Sequence, residues 1–298
     1  MSSVMSPIID LHSHSTCSDG VLDPESLVIR AFQKGVSHFA LTDHDTMSGI
    51  DLAAKTAKQH DIKFYSGIEL SCVWAGMTIH ILGLGFDTFS EVMTKACDDQ
   101  KNARANRAEI IDERLRHKCK MTGVLELARE HSGHDVPGRP HFAEAMVELG
   151  YVANTSVAFS QYLGSGKLGD VKSLWPDLQT VVEWVTAAGG VAVIAHPRKY
   201  KMTTSKLRRL IVDFIAAGGQ AIEVVTSGQK QGDTGLLVEL CRQYELLASL
   251  GSDFHFPGAN WCELGRNLPI PAGVDLVCNH IQPMPVIYKK LPIEISSF

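Results

Sequence analysis

Residues 7–20 read PIIDLHSHSTCSDG, and Ile8 and Ile9 predict a buried strand over residues 7–11. Because side chains alternate along a strand, His12 and His14 point to the same side at its end. Asp19 adds a carboxylate in the loop that follows. Two imidazoles and a carboxylate at a strand end are typical of the first part of a metal site. A polar loop after a buried strand gives the same pattern, so the rest of the chain must decide.

Composition limits the class of protein. The chain has 298 residues, 45% of them hydrophobic, and a net charge of −5, which excludes affinity based on a broad basic surface. Its seven cysteines form no CxxC pair and predict free thiols in a reducing cytoplasm. The N-terminus shows no secretion signal, no apolar run is long enough for a membrane span, and no obligate protein partner is implied.

Apolar segments alternate with helical patterns along most of the chain. Residues 23–35, for example, predict a helix with Asp23 as N-cap and Pro24 in the first turn. This alternation predicts a parallel α/β sheet or barrel of about seven units. The strands are expected at residues 7–11, 37–42, 62–70, 78–86, 191–196, 221–225 and 246–253.

The alternation breaks between residues 87 and 177, which are polar and helix-rich. We interpret this stretch as a helical subdomain inserted into a barrel made of residues 1–86 and 178–298. The final segment, residues 284–298, either packs on the barrel or extends from it.

Histidine, aspartate and glutamate recur where the predicted strands end, which is where α/β proteins place their active sites. Such clustering indicates a metal centre without thiolate ligands, suited to Mn, Fe, Zn or Mg. The candidate ligands are too many for one ion and favour two or three ions with shared carboxylates, an arrangement for displacement at phosphorus. They are His12, His14, Asp19, His44, Glu69, His80, His196, Asp253 and His255.

The ordered motifs HxH, SDG, TDHDT, GIE, AHP and GSDFH resemble those of the polymerase-and-histidinol-phosphatase (PHP) superfamily. The stretches WAGMTIHILGLGFD, GRPHFA, YLGSGK, AHPRKY and CELGRNLPIPAGV are similar to its bacterial branch of 5′→3′ exoribonucleases and nucleoside 3′,5′-bisphosphate phosphatases. The resemblance covers residues 8–275. It implies a distorted (β/α)7 barrel and a trinuclear centre that usually holds Mn or Fe.

The resemblance also implies how the ligands are grouped. One metal would be held by His12, His14, Glu69 and Asp253. Glu69 would bridge to a second metal, completed by His80 and His196. The third would be held by Asp19, His44 and His255.

In such a site, metal-activated water would attack phosphorus in line, and the leaving ribose oxygen would need a proton or a metal contact. His141 and Asp43 are both candidate catalytic residues for that step, and the sequence does not decide between them. His141 is equally a candidate ligand or phosphate contact.

Arginine binds phosphate through two parallel hydrogen bonds, so several arginines are candidate contacts to a terminal 5′-phosphate. Arg104 and Arg107 share one face of a predicted helix, although a solvated face would look the same. Arg139 lies near His141, and Arg198 follows His196.

Three further residues have two interpretations each. Tyr200 or Trp74 either stacks on a base or packs in the fold. Ser227 either hydrogen-bonds a phosphate or caps a turn.

The expected activity is metal-dependent hydrolysis of phosphoester bonds. The substrates would be 5′-phosphorylated RNA ends and short oligonucleotides, cut to 5′-mononucleotides, or the 3′-phosphate of nucleoside 3′,5′-bisphosphates. Two departures from the family pattern, Glu144 and Asp170, affect expected nucleotide contacts and no metal ligand. The alternatives are a small-metabolite phosphatase of the histidinol-phosphate type and a non-enzymatic, metal-stabilised module.

Overall fold

The computed structural model describes residues 6–133, 136–258, 261–266 and 268–285. The strands are β1 (Ile8–Asp10), β2 (Val36–Ala40), β3 (Lys63–Tyr65), β4 (Gly67–Trp74), β5 (Met77–Leu84), β6 (Val191–Ile194), β7 (Ala221–Thr226) and β8 (Leu247–Gly251). The α-helices are α1 (Pro24–Gln33), α2 (Ile50–Gln59), α3 (Glu91–Cys119), α4 (Val124–Ser132), α5 (Arg139–Glu148), α6 (Thr155–Ala158), α7 (Leu178–Ala187), α8 (Thr204–Ala216) and α9 (Gln231–Gln243). A π-helical turn, Phe159–Leu163, follows α6, and a 3-10 turn spans Val277–Asn279.

Local sequence signals define several helix starts. The Asp23 side chain accepts hydrogen bonds from the backbone N–H groups of Glu25 and Ser26, and Pro24 opens α1. The predicted N-cap is therefore confirmed. None of the helices in the described ranges is long and apolar enough to cross a membrane.

The strands form two sheets, ordered β1-β2-β3 and β4-β5-β6-β7-β8. The first is parallel, but β5 runs antiparallel to both β4 and β6. The predicted parallel sheet is therefore wrong at β5, whereas β6, β7 and β8 run parallel to one another as predicted. The cause is a two-residue turn between Trp74 and Met77, in which Ala75 and Gly76 both have positive φ (45° and 73°). Such a turn joins adjacent antiparallel strands.

The single strand expected over residues 62–70 is also two strands. The chain leaves the first sheet after Tyr65, and the Ser66 hydroxyl donates to the Phe86 carbonyl (2.7 Å). At Gly67 a Cβ atom would lie 2.5 Å from the Leu41 carbonyl oxygen, so only glycine permits this close crossing. The crossing brings β4, which carries Glu69, beside the end of β2.

The two sheets meet around the strand ends. The Leu11 N–H donates to the Leu250 carbonyl at one junction (2.9 Å), and His44 and Glu69 form an isolated bridge at the other. The structure is thus a mixed α/β fold whose two ladders do not close into one continuous barrel within the described ranges.

Apolar side chains form two separate cores. The larger lies between the sheets and helices α1, α2, α7, α8 and α9. The smaller is made of residues 108–171, including Ile111, Leu115 and Phe142. Helix α3 reaches both, because Met93 of the larger core lies near its start, and Ile111 and Leu115 of the smaller core lie near its end. At the C-terminus, Met284 N–H donates to the Phe64 carbonyl (2.8 Å), and residues 286–298 lie outside the described residues.

Candidate metal centre

The segment after β1 carries two of the predicted ligands. Its backbone is fixed on both sides, because Thr42 N–H donates to the Ser13 carbonyl and His14 N–H donates to the Phe254 carbonyl (both 2.9 Å). His12 and His14 are fully buried, and their Nε2 atoms lie 3.2 Å apart. Two ring nitrogens that face each other at this distance suit a shared cation that takes the place of a proton.

Glu69 and Asp253 complete what we call the inner set, with His12 and His14. Each histidine Nε2 lies 3.2–3.3 Å from Glu69 Oε2 and 3.3–3.4 Å from Asp253 Oδ1. Four ligand atoms placed tetrahedrally about 2.0–2.1 Å from one ion would be about 3.3–3.4 Å from one another. Glu69 Oε2 is buried and makes no hydrogen bond within the described residues. Spacing, burial and donor type therefore fit a divalent ion.

Glu69 also faces a second group of histidines through its other oxygen. His80 Nδ1 and His196 Nε2 each lie 2.9 Å from Glu69 Oε1, and His44 Nδ1 lies 3.1 Å from Oε2. One carboxylate therefore meets imidazoles on both oxygens, as a carboxylate that bridges two ions would.

An outer set consists of His14, Asp19, His44 and His255. His255 Nε2 lies 3.3 Å from Asp19 Oδ1, and His44 Nε2 lies 3.8 Å from Asp19 Oδ2. His14 and His44 each belong to more than one set, so the structure brings all nine sequence-predicted residues into one connected cluster. Their role as ligands remains a prediction.

A carboxylate missed by the sequence analysis orients two of these histidines. Glu223, fully buried on β7, lies 3.2 Å from His12 Nδ1 and accepts a hydrogen bond from His196 N–H (2.6 Å). A carboxylate on Nδ1 keeps the proton there and leaves Nε2 free to bind a metal. A glutamate inside the apolar strand AIEVV was the available signal.

Asp43, a candidate catalytic residue, holds the loop after β1. Its carboxylate accepts from Ser15 N–H (2.7 Å) and from the hydroxyls of Ser15 and Ser18 (both 2.6 Å). These contacts position the loop that carries Asp19. The other candidate, His141, lies in the first turn of α5, where its Nδ1 accepts from Gly138 N–H (3.0 Å). That bond leaves Nε2 as the protonated nitrogen of a neutral ring.

A cavity of about 120 Å³ is lined by Arg104, Arg107 and Arg139, and we call it the arginine cavity. The same cavity also contacts Asp19, His44 and His80. Arg104 pairs with Asp45 (2.6 Å). Burial lowers the pKa of Arg107 well below its usual value, and the neighbouring Arg139 and Arg104 lower it further. Arg107 Nε is buried without a hydrogen-bond partner in the described chain. Crowded guanidinium groups with unused donors fit an anion.

Trp175 is a second residue that the sequence analysis missed. It is buried, and the guanidinium groups of Arg104 and Arg107 lie 5.6 and 5.2 Å from its ring. The indole therefore stacks against both cations and holds them toward the cavity. No motif marks it, because it follows an irregular segment of the insertion.

The other predicted substrate contacts do not line the arginine cavity. Tyr200 accepts from His80 N–H through its hydroxyl (2.8 Å) and its ring lies against His196, so it packs behind the histidines. Arg198 pairs with Asp233 (2.8 Å), beside the cavity that contains Ser227. Trp74 donates to Asp213 (2.8 Å) on α8, at the end of β4 remote from Glu69.

The two departures from the family pattern are both engaged in local contacts. Glu144 lies 3.8 Å from His131, with half of its side chain exposed. Asp170 accepts from Gly166 N–H (2.7 Å) and pairs with Lys172 (3.0 Å).

Comparison with known proteins agrees with this site. Residues 10–141 match the PHP domain. A 5′-3′ exoribonuclease from Haemophilus influenzae is 44% identical over 261 residues, covering 88% of this chain and 94% of the relative. A 3′,5′-nucleoside bisphosphate phosphatase from Chromobacterium violaceum is 37% identical over 264 residues, covering 88% and 92%. The chain belongs to the PHP family.

A solved structure shares the fold over nearly the whole chain. It is an amidohydrolase from Chromobacterium violaceum with bound sulfate, 35% identical, with a TM-score of 0.86. The match covers 93% of this chain and 98% of that one.

A divalent metal should stabilise the protein, and increasingly so at higher pH. Burial alone would lower the pKa of His14, but Asp253 and Glu69 raise it to about 10 from 6.5. Without metal, the stability contributed by that proton is complete below pH 6.5 and is lost as the pH rises toward 10. Metal binding displaces the proton and so strengthens over the same range.

We expect saturating Mn²⁺ to raise the melting temperature above that in EDTA by about 5–10 °C near neutral pH. The difference should widen between pH 6.5 and 9 and should be lost in His14→Ala. Equal melting temperatures with and without metal at every pH would contradict the metal centre.

Proposed function

We propose that this protein is a metal-dependent phosphoesterase that acts at 5′-phosphorylated RNA ends. It would release 5′-mononucleotides from RNA or short oligoribonucleotides and remove the 3′-phosphate from nucleoside 3′,5′-bisphosphates. The observation that carries the proposal is the arginine cavity, which shares Asp19, His44 and His80 with the metal cluster. The names of the two relatives support both substrates.

The two reactions share one geometry. In both, the bond that breaks joins phosphorus to the 3′-oxygen of a nucleotide whose own 5′-phosphate is held. The arginine cavity would bind that 5′-phosphate. A larger adjoining cavity of about 670 Å³, which also contacts Asp19, His44 and Arg104, has the size for the nucleoside.

The residues of the cluster would hold two or three divalent ions, for which we propose Mn. When bound, such ions lower the pKa of water and neutralise charge on phosphate oxygens. Glu223 keeps His12 and His196 oriented, and Tyr200 fixes the backbone of His80.

We propose that His141 rather than Asp43 acts on the leaving oxygen, by donating a hydrogen bond from its neutral Nε2–H, because Asp43 is already occupied by Ser15 and Ser18. Such a donor stabilises negative charge without losing its proton, so His141→Gln should lower kcat by about 10²-fold and leave the shape of its pH profile unchanged. An unchanged kcat would exclude this role.

Architecture supports the same assignment. We propose that the two sheets are arcs of a distorted (β/α)7 barrel formed by residues 1–86 and 178–298. The separate core within residues 87–177 supports a distinct subdomain, which supplies the arginines and would cap the substrate. Seven unpaired cysteines support a cytoplasmic location.

Steady-state turnover by the Mn-loaded protein tests the proposal. The substrates are adenosine 3′,5′-bisphosphate, a 5′-phosphorylated RNA pentamer and histidinol phosphate, with His14→Ala as control. We expect turnover of the first two by the wild type and none by the variant. Turnover of histidinol phosphate alone would overturn the nucleotide assignment while leaving a metal-dependent phosphatase.

A further inference from the structure

A second basic cavity adjoins the metal cluster through a different histidine than the arginine cavity does. His80 and His196 both approach Glu69 Oε1; His80 contacts the arginine cavity, whereas His196 contacts the second one. The second cavity has a volume of about 180 Å³ and follows the turn from β7 into α9. We call it the β7–α9 cavity. The two cavities have no lining residue in common.

Two buried hydroxyls line this cavity, and neither of them holds the turn in place. Thr226 and Ser227 are each 4% exposed, and their hydroxyl oxygens have no hydrogen-bond partner in the described ranges. The turn is held by other bonds. Gln229 N–H donates to the Thr226 carbonyl (3.1 Å), and the Gln229 side-chain amide donates to the Val224 carbonyl (2.8 Å). A buried hydroxyl without a partner costs stability, and one that lines a cavity can recover that cost by bonding a ligand there.

The charges around the hydroxyls indicate that the ligand is an anion. Arg198, Lys199 and Lys230 line the cavity. Arg198 pairs with Asp233 and Lys199 pairs with Asp253, so Lys230 is the lining cation that has no ion pair among the described residues. Lys230 is also the N-cap residue of the 13-residue helix α9, and its side chain makes no hydrogen bond to the first N–H groups of that helix. The cavity is smaller than the roughly 300–1,000 Å³ that hold a whole drug-sized ligand, so it fits a phosphate group rather than a nucleoside.

An exposed aromatic ring lies at the edge of the same turn. Trp261 is 61% exposed, and a Cβ atom at Gly228 would approach its ring to 3.2 Å. Glycine therefore allows the indole to lie directly on the turn. An exposed indole beside a basic cavity is a platform for stacking a base of single-stranded nucleic acid.

We propose that the β7–α9 cavity binds the strand that remains after cleavage. The hydroxyls of Thr226 and Ser227, with Lys230, hold the phosphate between the second and third nucleotides, and Trp261 stacks the second base. This inference rests on the proposed function. It assigns the arginine cavity to the departing nucleotide and the β7–α9 cavity to the retained RNA, on opposite sides of the scissile bond.

Substrates of increasing length test the proposal, because each proposed contact can form only once the oligonucleotide is long enough to reach it. The substrates are the nucleoside 3′,5′-bisphosphate and the 5′-phosphorylated di- and trinucleotides. For each variant, kcat/KM for an oligonucleotide is divided by kcat/KM for the bisphosphate. In Trp261→Ala this ratio should fall about tenfold from the dinucleotide onward. In Thr226→Val it should fall about three- to tenfold, but only from the trinucleotide onward.

A stability measurement separates ligand binding from a structural role. Thr226→Val replaces an unpartnered buried hydroxyl by a methyl group of similar size, so its melting temperature should equal or exceed that of the wild type. Ser249→Ala is the matched control for a buried, unpartnered hydroxyl on the next strand, and Phe89→Ala for an exposed aromatic ring. Neither control should change the ratio.

Unchanged ratios in both test variants, with the wild type active on RNA, would overturn the subsite and leave the proposed function intact. Loss of inhibition by inorganic phosphate in Thr226→Val without a change in ratio would also overturn it, since the cavity would then bind released phosphate. If the wild type cleaves none of the three substrates, binding of the trinucleotide to the wild type decides. Weaker binding to Trp261→Ala supports the subsite, and equal binding overturns it.

Discussion

Glu69→Gln should lower kcat/KM for both nucleotide substrates by at least about 10³-fold, the largest effect expected of any single change. Glu69 is 0% exposed and contacts five histidines through its two oxygens. The amide keeps the shape but removes the negative charge and one of the two acceptor oxygens. The inner set and the His80–His196 pair should then no longer share a carboxylate.

Metal analysis provides the second measurement for this variant. The number of Mn ions bound per chain should fall by at least one in Glu69→Gln. Glu183→Gln, an exposed glutamate on α7, is the control and should retain both metal content and activity. Full metal content together with full activity in Glu69→Gln would contradict the shared-carboxylate arrangement.

Arg107→Met should weaken cleavage of 5′-phosphorylated RNA by about 10- to 100-fold, because a hydrogen bond to a charged group contributes about 1.5–3 kcal/mol. RNA with a 5′-hydroxyl end should lose much less, since no phosphate would reach the arginine cavity. The loss should appear mainly in KM if the 5′-phosphate is bound equally in the ground and transition states.

The thermal stability of Arg107→Met should not fall with its activity. Burial and the neighbouring Arg139 and Arg104 lower the pKa of Arg107, so its charge is unfavourable in the folded protein at neutral pH. Arg107→Met should therefore melt at the same or a higher temperature than the wild type. Arg116→Met, an exposed arginine on the same helix, is the control. Equal losses on RNA with either 5′ end would show that Arg107 does not recognise the 5′-phosphate.

The sequence predicted which residues lie together at the strand ends better than it predicted the strands around them, and the role of these residues as metal ligands stays a prediction. The HxH and GSDFH motifs each follow an apolar run. Residue types that bind metals therefore stand in the sequence where a predicted strand ends. No comparable pattern in the sequence indicated the direction of β5. The turn at Ala75 and Gly76 that makes β5 antiparallel has a non-glycine residue at positive φ, and the apolar run over residues 62–70 hides the crossing at Gly67.

Residues that act through others were harder to find. The only sign of Glu223 in the sequence is its place inside the apolar strand AIEVV, because its partners His12 and His196 are distant in sequence and meet only in the folded chain. Trp175 was missed for the same reason. Conversely, Tyr200 and Trp74 were weighed as stacking residues from their type alone. The structure places Tyr200 behind His80 and Trp74 beside Asp213.

The measurement that tests the central claim most directly is product analysis at early times with a 5′-phosphorylated RNA pentamer labelled at its 3′ end. The Mn-loaded protein should release 5′-mononucleotides and leave labelled RNA that shortens one nucleotide at a time and keeps a 5′-phosphate. Cleavage at internal positions, or loss of the 3′ label as the first product, would contradict an enzyme that holds the 5′ end.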